Sequence, residues 1–266
     1  MKHNPAKPQV IDSPDFWSRV CGAARPFLGL DYDGTLAPFH LERMQALPLP
    51  GVVELLESIN EAGKTFLAII SGRPLSELLC LLGDLPIPLV GSHGFERKYP
   101  GSQMEVVNLP HEQATGLAVA GQTVEKLGLA HLTELKTASI ALHTRPLQTN
   151  QAERIEALVL PLWTDIASCH NLHCRRFNGG IEILSQACNK ADALITLFNR
   201  SGADLPIYIG DDATDEDAFR VLAGRGIGIR VGGPETPTAA EGFLPDCRAV
   251  KELLTTWLSI DSGHSC

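Results

Sequence analysis

The chain opens on a polar, proline-containing stretch, and its first apolar run, Arg25-Pro26-Phe27-Leu28-Gly29-Leu30, ends directly on Asp31. A short apolar run closed by acid and glycine predicts a buried strand with a functional loop at its C-terminal end. From Pro50 to Ile59 the period is helical, with proline at the start and Gly63 just past the end, the arrangement helix termini prefer. Thr65 to Ile70 predicts a second buried strand, stopping at Ser71-Gly72-Arg73-Pro74. A helix over 75–82 leads to a third strand, Ile87 to Val90, and a loop, Gly91-Ser92-His93-Gly94. Apolar strands alternating with helices predict a parallel sheet covered on both faces.

From about 110 to 188 the pattern changes. A helix over 111–127 precedes Ala138 to His143, which alternates like a half-exposed strand. A second helix over 150–163 leads to short strands near 172–177 and 181–184. Helices grouped with alternating strands predict a small module with an antiparallel sheet. The first pattern then resumes: helix 189–199, strand Leu205 to Ile209, helix 214–222 and a strand around 226–231. The expected fold class is α/β: a doubly wound parallel-sheet (Rossmann-like) core, residues 1–109 and 189–266, interrupted by an inserted α+β cap domain, 110–188.

Composition narrows the partners. The 266 residues carry a formal net charge of −9 with scattered basic residues, which argues against nucleic acid or an anionic membrane. No apolar run approaches the roughly 20 residues a spanning helix needs, and the amino terminus lacks the apolar core of a secretory signal. The expectation is a cytoplasmic monomer acting on a small molecule. Seven cysteines form no CxxC and no regular framework, so reduced, structural thiols are expected. Cys169-His170-Asn171-Leu172-His173-Cys174 packs four soft ligands into six residues. Zinc sites place paired ligands on two separated segments, so no zinc is expected there.

Ligands of doubly wound sheets bind outside the carboxyl ends of the strands. Asp31-Tyr32-Asp33-Gly34-Thr35, Ser71-Gly72-Arg73 and Gly210-Asp211-Asp212-Ala213-Thr214-Asp215 all follow predicted strands, and Asn189-Lys190 opens a helix. Two carboxylates two residues apart at a strand end point roughly the same way. Asp31 suits nucleophilic attack on phosphorus; Asp33 suits protonating the leaving alcohol and then deprotonating water. Mg²⁺ is the expected cofactor, with Asp31, Asp33, Asp211 and Asp212 as ligands and Asp215 in support. Thr35, Ser71 and Lys190 are expected to donate to phosphoryl oxygens, where transition-state charge sits. Gly34 and Gly72 permit close backbone approach. Taken singly each cluster has a bland reading, as a turn or a solvated acidic helix start. In this order, each after an apolar strand, they predict hydrolysis of a phosphate monoester through an aspartyl-phosphate.

Asp31-x-Asp33-Gly34-Thr35, Ser71, Lys190 and Gly210-Asp211-Asp212 together resemble the motifs of the haloacid dehalogenase superfamily. The stretches Leu30 to Pro38, Ser71-Gly72-Arg73, Gly91 to Glu96 and Gly210 to Phe219 are similar to those of its trehalose-6-phosphate phosphatases. The resemblance covers residues 28 to 257 and is tighter in the core than in the cap. It implies that Gly72, Arg73, His93 and Glu96 flank the substrate, and that Lys136, His143, Arg145 and Glu182 in the cap bind the sugar. The implied substrate is trehalose 6-phosphate, with sucrose phosphate or a glycosyl-phosphoglycerate as alternatives from related members. A phosphosugar mutase, a silent relative and a signalling domain phosphorylated on Asp31 are further alternatives. A signalling domain has no use for a leaving-group acid or a substrate lid, and no core chemical group is missing.

Overall fold

The computed structural model describes residues 9–177, 179–233 and 235–263. The stretch read above for a secretory signal lies partly outside them. The chain divides into two compact units, Met1–Glu105 with Lys190–Cys266, and Val106–Asn189.

The first unit opens with α1 (Pro14–Gly22) and continues through β1 (Pro26–Leu30), α2 (Val52–Ala62), β2 (Phe66–Ile70), α3 (Leu75–Leu82), β3 (Leu89–Gly91), β4 (Glu96–Lys98) and β5 (Glu105–Val106). The second unit contributes α4 (His111–Lys126), β6 (Thr133–Leu135), β7 (Ser139–His143), α5 (Thr149–Cys169), β8 (Leu172–Phe177) and β9 (Gly180–Ser185). The chain then returns to the first unit with α6 (Lys190–Ser201), β10 (Leu205–Gly210), α7 (Glu216–Leu222), β11 (Ile227–Val231), β12 (Gly242–Leu244) and α8 (Cys247–Asp261).

The large sheet has the order β12-β11-β10-β1-β2-β3-β4-β5. From β12 to β3 every neighbouring pair is parallel, and β4 turns back antiparallel on β3. All five residues of β1 are buried, as a strand covered on both faces requires. One face packs Phe16, Leu56, Leu78, Leu253 and Trp257 from α1, α2, α3 and α8. The other packs Ala193, Leu194, Leu197, Phe219 and Leu222 from α6 and α7. This doubly wound arrangement is the one the alternating pattern predicts, and it brings the ends of β1, β2 and β10 side by side.

The pattern reading assigns no helix to 14–22 or 247–261, yet both are ordinary amphipathic helices. Ser13 caps the first, accepting from Phe16 N. Asp246 caps the second, accepting from Arg248 N and Ala249 N, and Val250, Leu253, Leu254 and Trp257 face the core. Cys80, Cys169, Cys174, Cys188 and Cys247 are free thiols, in line with the reduced state expected, whereas Cys21 is disulfide-bonded and departs from it.

In the second unit a four-stranded antiparallel sheet, β6-β7-β9-β8, packs Ile140, Leu142, Ile181 and Ile183 against Leu117, Val124, Val159 and Trp163 of α4 and α5. Helix α5 outruns its expected end at 163, continuing to Cys169 with Pro161 inside. Among the described residues no helix is long and apolar enough to cross a membrane.

Candidate active site

Asp31 begins where β1 ends: its N–H still donates to Ile209 O of β10 at 2.9 Å, and its side chain is buried. The chain then turns sharply around the Tyr32 carbonyl, which accepts from Leu36 N and Ala37 N. Gly34 takes the left-handed conformation at φ 71°. A Cβ there would lie 2.3 Å from Asp211 Oδ2, so glycine is what admits the Asp211 carboxylate against this turn. Thr35 is buried with its hydroxyl unpartnered, a vacant donor at the expected phosphoryl site.

Lys190 stands between two acids, 2.9 Å from Asp31 Oδ1 and 2.7 Å from Asp215 Oδ1. Burial works to lower the Lys190 ammonium, but Asp215 and Asp31 overturn it and hold the group above its ordinary value. The lysine is therefore a fixed cation. Burial pushes Asp31 up to about 7 against the pull of Lys190. Asp211 is pushed up to about 9 by burial, then by the charges of Asp31 and Asp215. Burial is the larger cause at both Asp31 and Asp211, and the surrounding negative charge, three carboxylates against one lysine, adds to it.

Asp215 is saturated. Its Oδ1 accepts from Lys190 Nζ and from the Tyr208 hydroxyl, each at 2.7 Å. Its Oδ2 accepts from Asp211 N at 3.1 Å and Asp212 N at 2.9 Å. Gly210 permits this fold-back, since a Cβ there would lie 2.3 Å from the Asp215 carboxyl carbon. Burial and the neighbouring acids push the Tyr208 phenol well above its ordinary range, so it acts as a neutral donor. Sequence reading missed Tyr208, whose residue type in a buried strand was the available signal.

At the end of β2, Ser71 is buried and its Oγ accepts from Arg73 N at 3.2 Å, leaving its own O–H to donate. Arg73, expected beside the substrate, is engaged within the protein. Its guanidinium grips Asp33, Nε to Oδ2 and Nη2 to Oδ1, both at 2.7 Å, and also reaches Glu77 at 3.1 Å. With the Arg73 side chain 4% exposed and that of Asp33 29%, this two-pronged pair fixes the Asp33 carboxyl plane. Gly72 lies against His93, whose Cε1 would be 2.5 Å from an added Cβ. At both Gly34 and Gly72, then, the missing Cβ makes room for a neighbouring side chain. Glu96 is also committed elsewhere: it accepts from Leu75 N at the start of α3 and from Ser92 Oγ.

Asp31, Asp211 and Asp215 hold carboxylate oxygens within 4.8 Å of one another. With Asp215 spent on four donors, about the capacity of a carboxylate, Asp31 and Asp211 remain to face a cation. One or two carboxylates completed by water and phosphate oxygens is what Mg²⁺ takes, so this donor set fits it. The side chains of Asp33 and Asp212, expected as ligands, are outside the cluster. Asp33 is turned into the Arg73 fork, and Asp212 Oδ1 accepts from Ala213 N at 2.7 Å.

In the second unit, Lys136 and Glu182 come together at 3.2 Å. The buried Glu182 also accepts from Ser139 Oγ at 2.7 Å and pairs with Arg175 at 2.8 Å. Arg175 faces Glu182 in the β8–β9 register and was not foreseen; pairing the two short predicted strands as a hairpin would have found it. His143 pairs instead with Glu134 at 2.8 Å and meets the Phe177 ring edge-on. Arg145 lies just past β7 against Gly179.

A parallel sheet with a buried aspartate at one strand end, a buried lysine beside it and an acidic loop at the next strand end is the arrangement that the resemblance to the haloacid dehalogenase superfamily implies. A haloacid dehalogenase-like hydrolase from Bacteroides thetaiotaomicron superposes with a TM-score of 0.61 at 19% identity, covering 87% of this chain and 99% of that one. The C-terminal domain of the trehalose-6-phosphate phosphatase of Candida albicans superposes with a TM-score of 0.82 at 22% identity, over 96% and 99% of the two chains. The model of the trehalose-phosphatase family matches residues 29–245, and the chain belongs to that family. It is similar to the trehalose-6-phosphate phosphatase of Escherichia coli, 28% identical over 235 residues, 86% of each chain. It is also 29% identical, over 87% of its length, to a bifunctional trehalose-6-phosphate synthase/phosphatase of Thermoproteus tenax, of which it spans only 32%.

Proposed function

We propose that this chain hydrolyses trehalose 6-phosphate to trehalose and phosphate, with Asp31 as nucleophile and Asp33 as acid and base. The observation that carries the reading is the buried Asp31–Lys190–Asp215 chain at the end of β1, in a member of a phosphatase family. An Asp31 oxygen attacks phosphorus; the bond to the sugar oxygen breaks, and Asp33 gives that oxygen its proton. Asp33 then takes a proton from a water that attacks the aspartyl-phosphate, releasing phosphate and restoring Asp31. Lys190, the Ser71 hydroxyl and the vacant Thr35 hydroxyl supply donors for phosphoryl oxygens. Mg²⁺, held by Asp31 and Asp211, would screen the charges of nucleophile and phosphate. Discrimination of the sugar falls to the polar groups of the second unit's sheet, Lys136 and Glu182 first among them, because hydroxyls reject a wrong partner only by leaving such groups unpaired.

Phosphate release from trehalose 6-phosphate, sucrose phosphate, a glycosyl-phosphoglycerate and glucose 6-phosphate tests this directly. Trehalose 6-phosphate should give the highest kcat/KM by about tenfold or more; a different winner overturns the substrate. Asp31→Asn should lower kcat by several orders of magnitude with the fold intact, since the amide is nearly isosteric and a poor nucleophile. Appreciable turnover by that variant would overturn the mechanism.

A further inference from the structure

One buried polar group has no part in the steps above: the phenol of Tyr208. It sits in the middle of β10 with 0% exposure, and in register it faces glycine on both sides, Gly29 of β1 and Gly228 of β11. A Cβ at Gly29 would lie 2.9 Å from the Tyr208 ring. A Cβ at Gly228 would lie 2.8 Å from Phe219, whose ring packs on that of Tyr208 at 6.0 Å. Glycine inside a strand gives up side-chain packing and chain stiffness. Two central strands make that concession around one aromatic residue. A buried phenol also needs a hydrogen-bond partner; this one has the Ile70 carbonyl at 3.3 Å and, much closer at 2.7 Å, Asp215 Oδ1, the oxygen that also accepts from Lys190.

We infer that Tyr208 is a positioning residue for phosphoryl transfer, acting through Asp215 on Lys190. The inference rests on the phosphatase reading above. Lys190 has three N–H bonds; Asp215 takes one and Asp31 a second, leaving the third for a phosphoryl oxygen. Asp215 Oδ1 divides its accepting capacity between the phenol and the ammonium. Without the phenol, Lys190 would be drawn further onto Asp215 and away from Asp31 and the phosphoryl group. The same hydroxyl fixes the rotation of the Asp215 carboxylate, whose other oxygen holds the backbone of Asp211 and Asp212. One O–H thus orients both the lysine and the acidic loop while touching neither substrate nor cation.

Tyr208→Phe keeps the ring and removes only that donor. At saturating Mg²⁺ its kcat should fall roughly tenfold while KM stays within about twofold, because the loss is felt where transition-state charge develops. In an Asp215→Asn background the same change should add less than about twofold, since residues acting through one another are non-additive. Phe219→Leu disturbs the same ring stack without touching Asp215; it should lower Tm and leave kcat within about twofold. Three results would overturn the inference: wild-type kcat for Tyr208→Phe, its full loss retained in the Asp215→Asn background, or an equal loss of kcat in Phe219→Leu. Running the series on p-nitrophenyl phosphate alongside trehalose 6-phosphate separates the two readings. Turnover of the simple ester alone overturns the sugar assignment, and the kcat ratios on that ester still decide Tyr208.

Discussion

Asp31 and Asp33, the proposed nucleophile and acid, sit two residues apart, yet the structure gives them opposite surroundings. Asp31 is buried beside a lysine and two acids, while Asp33 is nearer solvent and clasped by a buried arginine. Asp33 must swing no further than the reach of one proton transfer, so a guanidinium fork that fixes its plane acts on rate. Lysine at position 73 would keep the charge but offer a single point donor. Arg73→Lys should therefore lower kcat by roughly tenfold with little change in KM, measured by steady-state kinetics; a raised KM at unchanged kcat would instead return Arg73 to substrate binding. Sequence reading singled out Asp31, Ser71 and Asp211 because each follows an apolar strand in a motif, and Lys190 because it opens a helix in the same order of motifs. It gave Arg73 and Glu96 to the substrate and Asp33 and Asp212 to the metal; what those side chains touch within the protein was not legible, because spacing along the chain does not say where a side chain turns. Those turns are decided by neighbours distant in sequence, Asp33 for Arg73 and the Leu75 N–H of α3 for Glu96.

Among the elements, the strands of the core were legible because burial on both faces leaves an unbroken apolar run, as in β1 and β10. The flanking helices α1 and α8 escaped notice, although α8 carries a clear start signal at Asp246. That cap satisfies two N–H groups of the last helix, so Asp246→Ala should cost about 1 kcal/mol of stability in chemical denaturation and leave KM unchanged. The short strand β6 was hidden because its hydrogen bonds, not its composition, define it. In the small sheet, truncating Glu182 would strand Lys136 and Arg175 against each other, a change that destabilises whether or not the residue binds sugar. Lys136→Ala is the cleaner probe, as it removes one partner from a carboxylate that keeps Ser139 and Arg175. It should reduce kcat/KM for trehalose 6-phosphate by roughly tenfold and spare p-nitrophenyl phosphate. Equal losses on both esters would mean that Lys136 only holds the sheet together.

At the scale of the whole molecule, the active site is stability given up to function, and pH exposes it. In the absence of a cation Asp31 is raised from 3.8 to about 7 and Asp211 from 3.8 to about 9. A carboxyl group whose folded value lies above its unfolded one holds its proton more tightly in the native state. Its contribution is fully present below about pH 4 and is lost as pH rises, through about 7 for Asp31 and about 9 for Asp211. The chelated protein should therefore lose Tm steadily between pH 5 and pH 9, beyond any general acid or alkaline effect seen at the extremes. Mg²⁺ at the site proposed above would bind the ionised carboxylates of the folded chain and not the unfolded one, and so would stabilise by RT ln(1 + c/Kd) with c the free Mg²⁺ concentration, about 2.7 kcal/mol at a hundredfold excess over Kd. Because protons compete for the same oxygens, that stabilisation should be small at pH 5 and large at pH 8. Thermal melts in chelator and in Mg²⁺ across this range measure both effects, and the two curves should diverge as pH rises. In Asp211→Asn, which removes one of the raised carboxyls without adding charge, the decline in chelator should be shallower and the Mg²⁺ shift should shrink. Parallel curves for the wild type would mean that the cation does not bind at Asp31 and Asp211.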